Sequence, residues 1–340
     1  MARELPVLTP SGTPHPADGG GVGVPPPAPG RRHPDWIRAR MPSGEVFQDL
    51  RRTLSGLNLN TVCAEAICPN LGECWDQRTA TVMILGDTCT RACGFCNIKT
   101  GRPSWFDPDE PRRVAEAVAY MNLDHVVVTS VARDDLADGG ASVFADTIRE
   151  IRRRSPGMGV EVLIPDFNGE EAPLRAVMDA GPDILNHNLE TVKRLQGPVR
   201  KRARWDRTLG VLERAKVYAR EYGHAVHTKS SLMVGLGETR DEMTECFEAL
   251  RAVDCDILTI GQYLRPSQDH LPVERYWHPD EFAEMREAAL AMGFRHVESA
   301  PLVRSSYHAR DQVPGAAARA RERAARRATV AADGRVVPGA

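Results

Sequence analysis

Three observations predict an α/β fold with a mainly parallel sheet. Short β-branched runs recur along the middle of the chain, each is followed by a segment of helical periodicity, and the spacing leaves room for helical crossovers. The runs are Thr81 to Leu85, His125 to Thr129, Val160 to Ile164, Asp183 to Asn186, Val226 to Met233 and Ile257 to Ile260. In 207–222, Leu209, Leu212, Ala215, Ala219 and Tyr222 fall on one apolar stripe, and in 241–253 Met243, Cys246, Phe247, Leu250 and Val253 do the same. Units of strand and helix at roughly 25–45 residues each suit an open sheet as well as a closed or partial barrel. In either architecture chemistry belongs at the carboxyl ends of the strands.

The two ends read differently. Residues 1–35 hold nine Pro and six Gly with few large apolar side chains, too little buried surface to offset ordering entropy, so a disordered tail is expected. Residues 313–340 are rich in Ala and Arg and read as a solvated tail. The whole chain of 340 residues is 42% hydrophobic and 26% charged, with 44 Lys and Arg against 46 Asp and Glu. That balance gives no general electrostatic reason to bind nucleic acid or an anionic membrane. No apolar run approaches bilayer-spanning length, and the start does not read as a secretory signal. A cytoplasmic location follows as an expectation, where eight cysteines serve better as metal ligands, catalytic groups or core residues than as disulfides.

Cys89, Cys93 and Cys96 lie in Cys-Thr-Arg-Ala-Cys-Gly-Phe-Cys, directly after the first predicted strand. Three thiolates this close can hold three corners of an iron–sulfur cube. A structural zinc site would need a fourth ligand, and no Cys or His lies nearby to supply it. The uncovered iron would then be free to bind a small molecule through an amine and a carboxylate. A second group, Cys63, Cys68 and Cys74, lies upstream in a segment too irregular for an ordinary helix or strand. Cys246 and Cys255 sit on a helix stripe and at a strand entrance and read as small core residues.

The spacing Cys89-x3-Cys93-x2-Cys96, with aromatic Phe95 before the last cysteine, resembles the signature of radical S-adenosylmethionine enzymes. The upstream Cys-x4-Cys-x5-Cys is similar to the auxiliary-cluster pattern of one family among them, the lipoyl synthases. So are 129–140, 186–192, 228–238, 259–266 and Arg-Ser-Ser-Tyr-His-Ala at 304–309, so that the likeness covers about residues 45–312. The resemblance implies a partial (β/α)6 barrel over 81–312 ending in the Arg-Ser-Ser-Tyr motif, preceded by a cluster-binding extension over 36–80. It implies two [4Fe-4S] clusters and S-adenosylmethionine as cofactors, with Ser305 as fourth ligand of the auxiliary cluster. The implied reaction inserts two sulfur atoms into an octanoyl chain on a carrier lysine. Octanoylated lipoyl carrier domains or glycine cleavage H protein would be the substrates, and a ferredoxin or flavodoxin the electron donor.

Further positions follow from the same likeness. Asp134 and Asp135 come after the second strand, where a carboxylate would pair with the cofactor's ammonium or cap a helix. Asn186, Asn188 and Glu190 end the fourth strand and would reach the ribose. Glu238, with Gly235 and Gly237, resembles a glycine motif near the adenine, although Ser231 replaces a family glycine and Arg240 breaks the dinucleotide fingerprint. His187 and Lys229 are pocket candidates by position, with structural roles as the alternative. The run Val199 to Arg204 reads as a solvated face, or as a basic patch for an acidic carrier. A biotin-synthase-like enzyme would lack the cysteines at 63, 68 and 74, and a two-cluster electron carrier would need four cysteines per cluster. A zinc-stabilised RNA-binding protein should show a basic excess.

Overall fold

The computed structural model describes residues 33–38, 60–61, 68–76 and 79–312. Cys63, the tail over 313–340 and most of the tail over 1–35 lie outside the described residues. Within them, one sheet has eight strands in the order β1-β2-β5-β6-β7-β8-β9-β10. They are β1 (Asn60–Thr61), β2 (Thr79–Ile84), β5 (His125–Ser130), β6 (Gly159–Leu163), β7 (Ile184–Asn186), β8 (His227–Val234), β9 (Ile257–Gln262) and β10 (His296–Ser299). A separate two-stranded ladder pairs β3 (Thr88–Cys89) with β4 (Lys99–Thr100). From β2 to β10 all pairings in the large sheet are parallel, and only β1 runs antiparallel, on the edge of β2.

Each parallel connection carries a helix: Glu110–Tyr120, Ala141–Arg154, Glu171–Asp179, Trp205–Tyr222, Arg240–Ala252 and Pro279–Ala291. These are the six strand–helix units read from the sequence, and a seventh parallel strand, β10, follows them. It escaped the sequence reading because His296, Glu298 and Ser299 surround a single apolar Val297. Local chemistry fixes the helix ends. Thr239 and Glu242 form a reciprocal capping box at the start of Arg240–Ala252. Gly223, at φ 70°, ends Trp205–Tyr222 in the left-handed conformation that glycine adopts freely.

The strands alternate by face. Val82, Val126, Val128, Val160, Val162, Leu185, Leu232, Leu258 and Ile260 belong to the apolar cluster shared with the helices. The opposite face lines the inside of the curved sheet. There Ile184 and Ile257 form a small cluster of their own, and a layer of polar groups lies among them. Lys229 Nζ donates to both oxygens of Glu161 at 3.0 and 3.1 Å, and Asn186 Nδ2 donates to Glu161 at 3.0 Å. Lys229, Glu161 and Asn186 are fully buried. Burial opposes the Glu161 charge, but Lys229 and His125 outweigh it and hold the carboxyl below its ordinary range. Removing one partner leaves the other charge buried alone. Lys229→Met is therefore expected to cost about 3–5 kcal/mol, read from urea unfolding, with Lys229→Met/Glu161→Leu recovering much of the loss.

Candidate active site

The loop that carries Cys89, Cys93 and Cys96 begins at β3, which follows β2 in the chain. Its backbone is tied to its surroundings: Thr90 N–H donates to the Ala132 carbonyl at 3.0 Å, Gly94 N–H to Val199 at 2.9 Å, and Leu271 N–H to Gly94 at 3.0 Å. The backbone N–H groups of Arg91 and Ala132 approach Cys89 Sγ at 3.4 and 3.3 Å. Phe95 packs against Val199, Leu236 and Tyr263, which anchors the loop beside Cys96. Burial pushes the Cys93 and Cys96 thiols up, Cys96 to about 12. A cation at these sulfurs would displace their protons on binding.

The upstream group meets the segment at the far end of the described residues, 302–308. Cys74 lies on the helix Leu71–Asp76 and Cys68 just before it. Asn70 Nδ2 donates to the Leu302 carbonyl at 2.6 Å. The Tyr307 hydroxyl donates to Glu73 at 3.1 Å, and His308 Nε2 lies 3.3 Å from the same carboxylate. These contacts pin the cysteine-bearing segment to the loop that carries Ser305 and Ser306. That loop in turn crosses β9 closely at Gly261, where a Cβ would meet the Val303 carbonyl at 2.0 Å. Only glycine admits this approach.

One cavity of about 370 Å³ joins the two regions, its wall including Cys89, Cys93 and Cys96 as well as Cys68, Ser305 and Ser306. Among the described residues no three His, Cys, Asp or Glu side chains close on one point as they would round a single metal ion. Thiolates at separate corners of a four-iron cube stand further apart than that. Apolar side chains such as Met83, Ile98, Leu163 and Ile164 form much of the wall.

Polar groups of the wall have open valences. His187 Nδ1 donates to the Ile164 carbonyl at 2.8 Å, so its Nε2 presents a bare lone pair, buried and without a partner. Burial and the charge of Arg200 push this imidazole down to about 4, which keeps it neutral. Asn188 Oδ1 and Ser130 Oγ are likewise buried without partners. Buried polar atoms of this kind call for hydrogen-bonding groups from outside the chain. Sulfur donors for iron, open acceptors for amine or hydroxyl groups and apolar walls together fit a [4Fe-4S] cluster with S-adenosylmethionine.

The positions expected from the sequence divide. Phe95, Asn188, Glu190 and His187 line the cavity together with Cys68, the three loop cysteines and Ser305, whereas Cys74 does not. Five other expectations need correction. Asp134 does not line it, because Arg91 takes its carboxylate in a two-pronged ion pair with contacts of 2.6 and 2.9 Å. Those bonds hold the Asp134 carboxyl down at about 2. Asp135 is paired with Arg133 at 2.9 Å. Lys229 is spent on Glu161 in the polar layer of the sheet, and Asn186 gives Nδ2 to the same carboxylate and does not line the cavity, its buried Oδ1 having no partner. Glu238 accepts from the backbone N–H groups of Gly235 and Leu236, closing its own turn. The run 199–204 is not solvated throughout, since Arg200 reaches the cavity wall and donates to the Asn188 carbonyl at 2.9 Å. Arg91, Arg200 and Arg304 are wall residues that sequence reasoning missed as such. Arg91 and Arg304 lie inside the motifs already singled out, which is the signal that was available.

Comparison with known proteins gives the family of the chain. Residues 83–250 match the radical SAM superfamily, and residues 28–68 match the N-terminal domain of lipoyl synthase of the radical SAM family. The chain is 57% identical over 288 residues to a lipoyl synthase of Symbiobacterium thermophilum, covering 85% of this chain and 89% of that one. A lipoyl synthase of Rubrobacter xylanophilus is 56% identical over 283 residues, covering 83% and 87%. One from Koribacter versatilis is 57% identical over 279 residues, covering 82% and 90%. Among the described residues no helix is long and apolar enough to cross a membrane. The chain belongs to the lipoyl synthase family of radical S-adenosylmethionine enzymes, sulfurtransferases that require a [4Fe-4S] cluster and S-adenosylmethionine.

Proposed function

We propose that this chain inserts sulfur at C6 and C8 of an octanoyl group carried on a lysine of a lipoyl carrier domain or glycine cleavage H protein. A second [4Fe-4S] cluster, held by Cys63, Cys68, Cys74 and Ser305, is consumed as the sulfur substrate. The observation that carries this reading is that Cys89, Cys93 and Cys96 line the same cavity as Cys68 and Ser305. A carbon activated at the first group would lie within reach of sulfur held at the second.

Unactivated C–H bonds do not yield to acids or bases, since no side chain is basic enough to remove such a proton. When bound, the cluster at Cys89, Cys93 and Cys96 and S-adenosylmethionine, with electrons from a ferredoxin or flavodoxin, supply the hydrogen-abstracting radical. The chain's own contribution is position and exclusion of water. Met83, Leu163 and Ile164 give a dry wall for the alkyl chain, while His187 Nε2 and Asn188 Oδ1 accept from polar groups of the nucleoside. Glu190 is half-buried next to them, and Asn188 Nδ2 donates to its carboxylate at 2.9 Å. Exposed Lys201, Arg202 and Arg204 would suit an acidic carrier face.

Ser305 is the ligand that should leave. An oxygen ligand binds iron less tightly than thiolate, so Ser305→Cys is expected to retain the upstream cluster and S-adenosylmethionine cleavage while slowing sulfur transfer about tenfold or more. Ser306→Cys is the neighbouring control. Mass spectrometry of an octanoyl-lysine peptide reads the product, and normal product from Ser305→Cys with loss in Ser306→Cys would move the assignment to Ser306.

A further inference from the structure

Arg91 stands between Cys89 and Cys93, in a loop with little regular structure of its own. Its guanidinium spans the carboxyl ends of two strands. Nη2 and Nε contact Asp134, after β5, at 2.6 and 2.9 Å, and Nη2 also contacts Asp166, after β6, at 2.7 Å. The Arg91 side chain is 9% exposed, that of Asp134 14% and that of Asp166 1%. Arg207 completes the charge of Asp166 at 3.2 Å, and Arg202 reaches Asp134 at 3.2 Å. Thr90, the residue before Arg91, closes a reciprocal pair with Asp134: its hydroxyl donates to the carboxylate and accepts from the Asp134 N–H, both at 3.1 Å. A buried carboxylate such as Asp166 must be paired, and its partner here is the arginine inside the cysteine motif.

We propose that Arg91, with Asp134 and Asp166, is a latch that positions the cluster loop against the ends of β5 and β6. Asp134 therefore serves the loop and does not receive the ammonium of S-adenosylmethionine. The fork matters as well as the charge, because a planar guanidinium can hold two carboxylates in fixed directions where an ammonium cannot. Arg91 and Asp134 are positioning residues that act through the cysteines. A small displacement of reacting groups is enough to lower the rate greatly.

This inference rests on the reading of Cys89, Cys93 and Cys96 as cluster ligands, and the experiment separates the two. Full-length Arg91→Gln, Asp134→Asn, Arg91→Lys and the Arg91→Gln/Asp134→Asn double variant are reconstituted anaerobically. The paramagnetic spectrum of the reduced cluster is then titrated with S-adenosylmethionine, beside thermal melts. Arg91→Gln and Asp134→Asn should each perturb the spectrum and weaken binding about tenfold, with the double variant no worse than the weaker single. Arg91→Lys should fall between these and the parent. Weakened binding in Asp134→Asn with none in Arg91→Gln would return Asp134 to the ammonium and overturn the latch. A lowered melting temperature with unchanged spectrum and affinity would overturn it too. Full iron content in the Cys89, Cys93, Cys96 triple-alanine variant would instead remove the cluster reading beneath it.

Discussion

Alanine at Cys89, Cys93 and Cys96 together is expected to halve the iron of the reconstituted protein, from about eight to about four atoms per chain. It should also abolish formation of 5′-deoxyadenosine. The loop loses its three soft ligands, and no other described His, Cys, Asp or Glu side chains converge to replace them. The fold should survive. The loop is anchored by backbone bonds through Thr90 and Gly94 and by Phe95 packing, none of which involves the thiols. Anaerobic iron and sulfide analysis, with chromatography of the nucleoside products, measures both effects. A variant that keeps all its iron, or still cleaves S-adenosylmethionine, contradicts the assignment.

Much of the fold was legible because its signals are local. All six β-branched runs overlap observed strands to within two residues at each end, and capping residues such as Thr239 and Gly223 bound the helices near where periodicity begins or ends. β10 was not legible, since its partner β9 and neighbouring groups satisfy a strand that reads as polar. The cysteine motifs were legible because cluster chemistry fixes residue type and spacing together. Charge pairing was not. Asp134 follows a strand, as a ligand carboxylate would, but its partner is an arginine 43 residues earlier in the chain. Lys229 sits at a strand position facing inward, yet two strands away Glu161 holds it below the cavity. Sequence position gave the face of each side chain, and only the fold gave its partner. His187 was open to either reading, and its unpartnered Nε2 on the cavity wall favours the site.

The upstream cysteines supply the most direct test of the central claim, that one cavity brings a radical and a sulfur source together. The Cys63, Cys68, Cys74 triple-alanine variant should still form 5′-deoxyadenosine under a strong reductant, because Cys89, Cys93 and Cys96 are intact. It should form no sulfur-containing product, with the loss reaching at least about a hundredfold if the ligands act as a unit. Circular dichroism must first show it folded, since Asn70 and Glu73 tie that segment to the 302–308 loop. The deciding measurement is mass spectrometry of the octanoyl peptide after one turnover, using protein whose clusters were rebuilt with heavy sulfide. The account predicts two heavy sulfur atoms in the product of the parent protein and none of that product from the variant. Light sulfur in the parent's product, or heavy product from the folded variant, would contradict it.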